Sequence, residues 1–507
     1  MTKDELPRGL AFAAFALGAL LFTSRSAQTQ AAPQQRAGGV LDRVIVGGRV
    51  MDPESKLDGV RAVGIRDGRV VSLTTNVPSA RDTIDARGLV VAPGFIDLHS
   101  HGQDSTNYAF LARDGVTTAL EMEIGTYPIA PWYADREGKA RINYGASVSH
   151  IGARRAYLER DSSRAGSTVI SADGPWARQP IPQAQLGEVT RRLEMGLRQG
   201  ALGVGMGINY TEAASRAEIR AGFEVAARAH TPVFVHLRGL GPVEATGGIA
   251  GLQEVLADAA STGASLHVEH ITSMGLGITG QLLQLIDGAR QRGLDVTTEA
   301  YPYTAGSTSI TAAILDEGFQ QRVGIDYKDI LYPATGERLT AQSYAKYRKS
   351  GGRVIIFMIP DSVADNAYRT PFVMVASDGG FYPVDGRPVG HPRGAGTHAR
   401  ILGNYVRERK VLGLMDAISR MTLLPAKRLE SLDPSMTRKG RIRVGSDADL
   451  TLFDPARVID KATYENAAQY SEGIVHVLVN GVPVVRDEKL VSGAKPGRAV
   501  RRSVSMP

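Results

Sequence analysis

At 507 residues the chain has room for one large core and a smaller second domain. Its 43% apolar and 22% charged residues suit a globular protein, and a charge of +7 without basic runs interleaved with aromatics argues against nucleic-acid binding. It contains no cysteine, which excludes disulfides and thiolate ligands, so any metal must be held by His, Asp or Glu.

The N-terminus carries an apolar run over residues 9–22 (GLAFAAFALGALLF) behind Lys3 and Arg8. This is short for a membrane span and suits the core of a signal peptide, with small residues around Thr29-Gln30-Ala31. Residues 1–31 are therefore predicted to be a leader, and the product to be exported, periplasmic or secreted, with no other membrane association. Residues 32–39 have the composition of a linker. From 40 to 92 short strands alternate with turn signals: 44–46, 62–65, the Asp67-Gly68 hairpin dipeptide, 70–71 and 89–91. The same texture returns over 439–490, with strands at 448–453, 475–479 and 482–485 around Asn480-Gly481. The two ends are expected to form one small β-sandwich. Residues 491–507, with Lys495, Arg498, Arg501 and Arg502, read as a solvated basic tail.

Between the ends, over 93–438, strands alternate with helices. Candidate strands are 95–99, 117–123, 145–149, 203–207, 233–236, 266–270, 295–299 and 373–378, with helical periodicity between them, as in 216–229 and 251–260. Eight such units predict an α/β protein, a (β/α)8 TIM-like barrel. The stretch 304–372 is too long for an ordinary connection and is expected to be an insertion over the active-site face. The glycines at 203, 205 and 207 lack the spacing of a dinucleotide fingerprint and read as close packing at a strand end.

Barrels of this kind place their chemistry at the carboxyl ends of the strands. The first strand ends in GFIDLHSH, where alternation turns His99 and His101 to the same side. The second ends in Glu121-Met122-Glu123, the fifth in His236, the sixth in His270 and the eighth in Asp378, while His150 follows the third and is expected to line the same mouth. Histidines and carboxylates together suit Zn²⁺ or a related divalent ion. His391 and His398 flank Arg393 and could support the site. His230, His267 and His476 read as core or surface residues.

Taken in order, DARGLVVAPGFIDLHSH, VFVHLRG, LHVEHITS, TEAYPYTAGST, VASDGG, HPRGAGTHARILGNYV and KGRIRVGSDADLTLFDP resemble the amidohydrolase superfamily, and within it the D-aminoacylase or N-acyl-D-amino-acid deacylase group. The resemblance implies that His99, His101 and Asp378 hold a more buried metal and His236 and His270 a more exposed one. It makes Asp378 the general base and acid. The group's strand-two ligand is often a cysteine; the matching segment here is EMEIG, so Glu123 becomes the candidate bridge, with Glu121 in reserve and one or two Zn²⁺ ions. Arg393, Tyr301, Ser307 and Arg238 match positions that bind the substrate carboxylate, whereas the group's lysine is replaced by Thr272. The implied activity is deacylation of an N-acyl-D-amino acid such as N-acyl-D-glutamate, a small molecule carrying an amide and a carboxylate. A dipeptidase or hydantoinase-like cyclic amidase is the near alternative, and a catalytically silent binding barrel the alternative from another class.

Overall fold

The structure, a computed structural model, describes residues 40–161 and 174–503, so the expected leader lies outside the described residues. Eight parallel strands are paired in chain order: β1 (Phe95–Asp97), β2 (Val116–Thr126), β3 (Asn143–Ser149), β4 (Val204–Gly207), β5 (Val233–His236), β6 (Leu266–Val268), β7 (Val296–Ala300) and β8 (Val373–Val375). Nearly every residue in them is buried, as expected of parallel strands covered on both faces, which explains their continuous apolar runs. The helices between them bury one stripe. In Arg216–Arg228, Ser215 caps the N-terminus by accepting from the Glu218 amide, and Ile219, Phe223 and Ala226 face the core. The terminal methyl of Met206 of β4 packs directly against Gly222 of this helix, in the space a Cβ would occupy.

The seam between β1 and β8 closes only at its mouth. There the Asp378 amide donates to the His99 carbonyl (2.7 Å), and the His101 amide donates to Gly379 (2.8 Å). Just below, Asp97 Oδ1 accepts from the amides of His99 (3.1 Å) and Ser377 (3.0 Å). The backbone that completes the barrel thus carries three of the expected metal ligands.

Strands from both ends of the chain interleave in one nine-stranded sheet. Leu450–Phe453 pairs antiparallel with Val90–Pro93, joining the C-terminal strands to the N-terminal ones around Ile45, Val63, Val91, Leu452 and Leu478. The long stretch after β7 contains a four-stranded sheet of Ala305–Ser309, Ile330–Tyr332, Glu337–Arg338 and Arg353–Phe357, with its own core of Phe319, Leu339, Val354 and Ile356. Its last helix, Asp361–Tyr368, belongs to the barrel instead: Ala364 and Ala367 join the main core, and the Tyr368 hydroxyl donates to the Ala300 carbonyl (2.7 Å).

The C-terminal segment corrects the expectation of a solvated tail. Val500 is buried, its amide donates to Tyr144 O (2.7 Å), and the Ser503 amide donates to Leu432 O (2.9 Å). The segment runs across the amino ends of the strands because it supplies an apolar side chain and backbone partners there, while its arginines stay at the rim. Among the described residues, no helix is long and apolar enough to cross a membrane.

Candidate metal centre

The strand ends bring the expected ligands together. The Nε2 atoms of His99 and His101 lie 3.2 Å apart. Glu123 Oε2 is 3.3 Å from each of them, and Asp378 Oδ1 is 3.4 and 3.2 Å away. The other oxygen of Glu123, Oε1, faces His236 Nδ1 (2.6 Å) and His270 Nε2 (2.9 Å), which are 3.1 Å from each other. Two donor groups, His99–His101–Glu123–Asp378 and Glu123–His236–His270, therefore share one carboxylate. Ligands about 2.0–2.1 Å from a tetrahedral zinc are separated by edges of about 3.3 Å, so the first group has the spacing a bound ion requires. Burial does not rank the two positions as expected: each has one enclosed histidine (His99, His270) and one slightly open (His101, His236).

The imidazoles are held from behind. His99 Nδ1 meets Glu299 Oε1 (2.7 Å) and Glu269 Oε2 (3.0 Å), His101 Nδ1 meets Glu121 Oε2 (3.0 Å), and His270 Nδ1 meets Ser273 Oγ (3.0 Å). Such partners fix ring orientation and leave the opposite nitrogen free to ligate. Glu121, the reserve bridge, is one of these supports, and Glu123 alone faces both groups. His270 (φ +25°) and Asp378 (φ +50°) occupy the left-handed region, a backbone cost tolerated where side chains must be aimed.

Burial opposes charge on Glu123, but the imidazoles of His99 and His236 outweigh it and hold its carboxyl well below the ordinary range. Burial is likewise overridden at Asp378 by Arg393 and His99, leaving it an anion. Arg393 Nη1 lies 2.9 Å from Asp378 Oδ2, with its guanidinium 4.5 Å from the Tyr301 ring centroid. Below His99 the signs divide. Burial and Glu299 push Glu269 well up, while His267 and His99 overcome the burial of Glu299 and hold it low.

Asp378, His236 and His270 open on a cavity of about 40 Å³ that Tyr301 and Ser307 also line. Leu240, Met274, Ile314, Ile356 and Met358 close it, the last three coming from the inserted stretch. Two expected substrate contacts lie elsewhere. His150 Nε2 bonds Glu218 Oε1 (2.9 Å), and Glu218 also pairs with buried Arg154 (2.6 Å), so His150 belongs to a polar cluster under a helix. Arg238 is clamped by both oxygens of Glu254 (2.9 and 2.8 Å) and lines an adjoining cavity with Glu212 and Thr246. In both cases a carboxylate on a neighbouring helix engages the side chain. His391 accepts from the Arg393 amide (3.0 Å) and donates to Ala305 O (3.0 Å), tying the inserted sheet to Arg393, whereas His398 pairs with Asp114. Sequence reading passed over Glu269 and Glu299 and took His267 for a core or surface residue, without its link to Glu299. The signal available was two carboxylates and an imidazole inside otherwise apolar strands, where a polar residue is the informative one.

With this geometry in hand, comparisons with known proteins agree on one group. Residues 82–485 match the model of an amidohydrolase family. The N-acyl-D-glutamate deacylase of Alcaligenes xylosoxydans xylosoxydans is 30% identical, the match covering 92% of this chain and 98% of that protein; the D-aminoacylase of the same organism matches at the same identity and coverage. The crystal structure of N-acyl-D-glutamate deacylase from Bordetella bronchiseptica, complexed with zinc and a phosphonate inhibitor, superposes with a TM-score of 0.76 at 26% identity, over 91% of this chain and all of that one.

Proposed function

The chain belongs to the amidohydrolase family, and from that premise we propose that it is a metal-dependent hydrolase removing the acyl group from N-acyl-D-amino acids with uncharged side chains. The observation that carries the reading is the shared carboxylate: Glu123 turns one oxygen to each of two donor groups, whose His236, His270 and Asp378 line a small pocket. An ion held there supplies a Lewis acid for the amide carbonyl and lowers the pKa of a water to about 7. Zinc in the related glutamate deacylase supports zinc as that ion.

The protein's own groups do the rest. Asp378 Oδ1 takes the proton of the attacking water and returns it to the departing nitrogen. The water oxygen ends on the acyl carbon, the C–N bond breaks and the amine leaves protonated. Arg393 holds the second oxygen of Asp378 and so keeps the first turned to the histidines. Arg393 does not itself line the pocket but contacts two residues that do, Asp378 and Tyr301, and is the cation we assign to one substrate carboxylate. No lysine or arginine is among the residues lining the pocket, and Arg238 next door is neutralised by Glu254. A second, side-chain carboxylate would be stranded among aliphatic groups. The basic-then-apolar N-terminal segment supports an exported enzyme.

The test is amine release from N-acetyl-D-leucine, N-acetyl-D-methionine, N-acetyl-D-glutamate and their L-isomers by chelator-treated protein, with and without Zn²⁺. Zinc-dependent release from the D-isomers of leucine and methionine, at least about 100-fold faster than from the glutamate derivative, is expected. Preference for the glutamate derivative would overturn the side-chain assignment. No release from any of them by metal-loaded protein would overturn the deacylase reading and favour dipeptides or cyclic amides.

A further inference from the structure

Behind His99 a line of hydrogen bonds crosses the barrel. His99 Nδ1 meets Glu299 Oε1 at 2.7 Å, Glu299 Oε2 meets His267 Nε2 at 3.3 Å, and His267 Nδ1 meets Thr297 Oγ1 at 2.7 Å. His99, Glu299 and His267 are buried, whereas Thr297 is partly exposed and lines a groove of about 1030 Å³ at the opposite end of the barrel from the metal centre. We propose that Thr297, His267 and Glu299 form a positioning relay for His99, setting from the rear of the barrel which nitrogen of that ligand carries the proton.

The donor and acceptor roles follow from one fact. A carboxylate only accepts, so both imidazoles must donate to Glu299, His99 through Nδ1–H and His267 through Nε2–H. Donation from Nδ1 leaves Nε2 of His99 as a bare lone pair turned toward His101, Glu123 and Asp378, the form a metal ligand must take. Donation from Nε2 makes Nδ1 of His267 an acceptor, so the Thr297 hydroxyl must give its proton inward. Each member thus has one role, and the outermost is set by a hydroxyl that reaches solvent. Glu269, 3.0 Å from His99 Nδ1 and 3.8 Å from His267 Nε2, has no hydrogen-bond partner and faces the same two rings. Glu299 is the nearer partner of both rings, giving each its own oxygen at 2.7 and 3.3 Å.

The relay rests on the metal reading only for its consequence, so the experiment separates the two. Zinc affinity would be measured by competition with a chromophoric chelator for wild type, Glu299→Gln, Thr297→Val and Thr297→Ser, with ¹⁵N spectra of the histidine rings of the metal-free proteins. Glutamine offers a single acceptor oxygen, so Glu299→Gln should weaken zinc binding about 10–100-fold. Thr297→Val should weaken it by a smaller factor and shift the ¹⁵N signals of His267 from the Nε2–H form toward a mixture, and Thr297→Ser should restore both. Wild-type zinc affinity in Glu299→Gln would overturn the relay, as would identical His267 spectra in the Val and Ser variants. Should Glu299→Gln fail to fold, the two Thr297 variants decide. A wild type that takes up no zinc would sink the metal reading, while the ring spectra would still judge the relay.

Discussion

At the carboxyl ends of the barrel strands four histidines and two carboxylates converge, and buried groups such as Glu269 and the Nε of Arg393 lack a hydrogen-bond partner. Toward the amino ends, Phe234, Met374, Leu429, Leu432, Met436 and Val500 form an apolar cluster, and the C-terminal segment adds backbone bonds to Tyr144 and Leu432. The same strands serve both ends. The mouth holds charge that needs a ligand to be fully satisfied, and the base holds apolar area that needs only burial. Stability and function are separated along the barrel axis, which lets a costly polar cluster persist in a marginally stable chain.

The largest way to break that contrast is Glu123→Ala. Removing the carboxylate common to both donor groups should abolish metal retention and turnover together, read as metal content after gel filtration and as amine release. The urea midpoint of the metal-free protein should fall little, since the base is untouched. A variant that keeps its full metal complement would refute the shared-carboxylate reading. Next, Asp378→Asn should lower kcat by about 10²–10⁴-fold while the three other donors of its group remain. Equal loss of metal and activity would make Asp378 a ligand without a proton-transfer role.

Leu429→Ala probes the other end. Leu429 is fully buried in the base cluster, so its truncation should cost about 2–5 kcal/mol in urea unfolding. Zinc affinity should stay at the wild-type value; a parallel loss of zinc would show that the two ends are coupled.

The smallest effect concerns pH. Burial, with Arg393 nearby, holds His391 well below its ordinary value of 6.5, so it stays neutral when folded and both ring nitrogens keep their bonds. The unfolded chain takes up a proton below about pH 6.5 and the folded one does not, so this contribution to stability is present above that pH and lost as pH falls. His391→Gln should flatten the fall in unfolding free energy of metal-free protein between about pH 6.5 and 5. An unchanged slope would show that His391 is not the group responsible.

Much of this was legible in the residue order. Residues 233–236 coincide with β5, and the helix expected over 216–229 spans Arg216–Arg228, because a continuous apolar run and a capped amphipathic stripe are local patterns. His99, His101, Glu123, His236, His270 and Asp378 were readable because a barrel places all its strand ends on one face. What was not legible depended on a partner distant in sequence. His150 is 68 residues from Glu218, and nothing near either announces the pair. The basic residues after 490 looked solvated because the backbone groups that receive that segment belong to Tyr144, Gly200 and Leu432.

By itself, then, the sequence determined the alternation of strands and helices and the donor types available for a cysteine-free metal site, since both follow from periodicity and side-chain chemistry along the chain. Tertiary structure alone decided which oxygen of Glu123 faces which histidines, that Glu121 stands behind His101, that Arg238 is spent on Glu254, and that His99 is braced through Glu299 and His267. The physical reason is range. Apolar patterning acts through neighbours a few residues apart, whereas the role of a buried ionisable group is set by whichever charge the fold brings within about 3 Å of it, and no local rule specifies that partner.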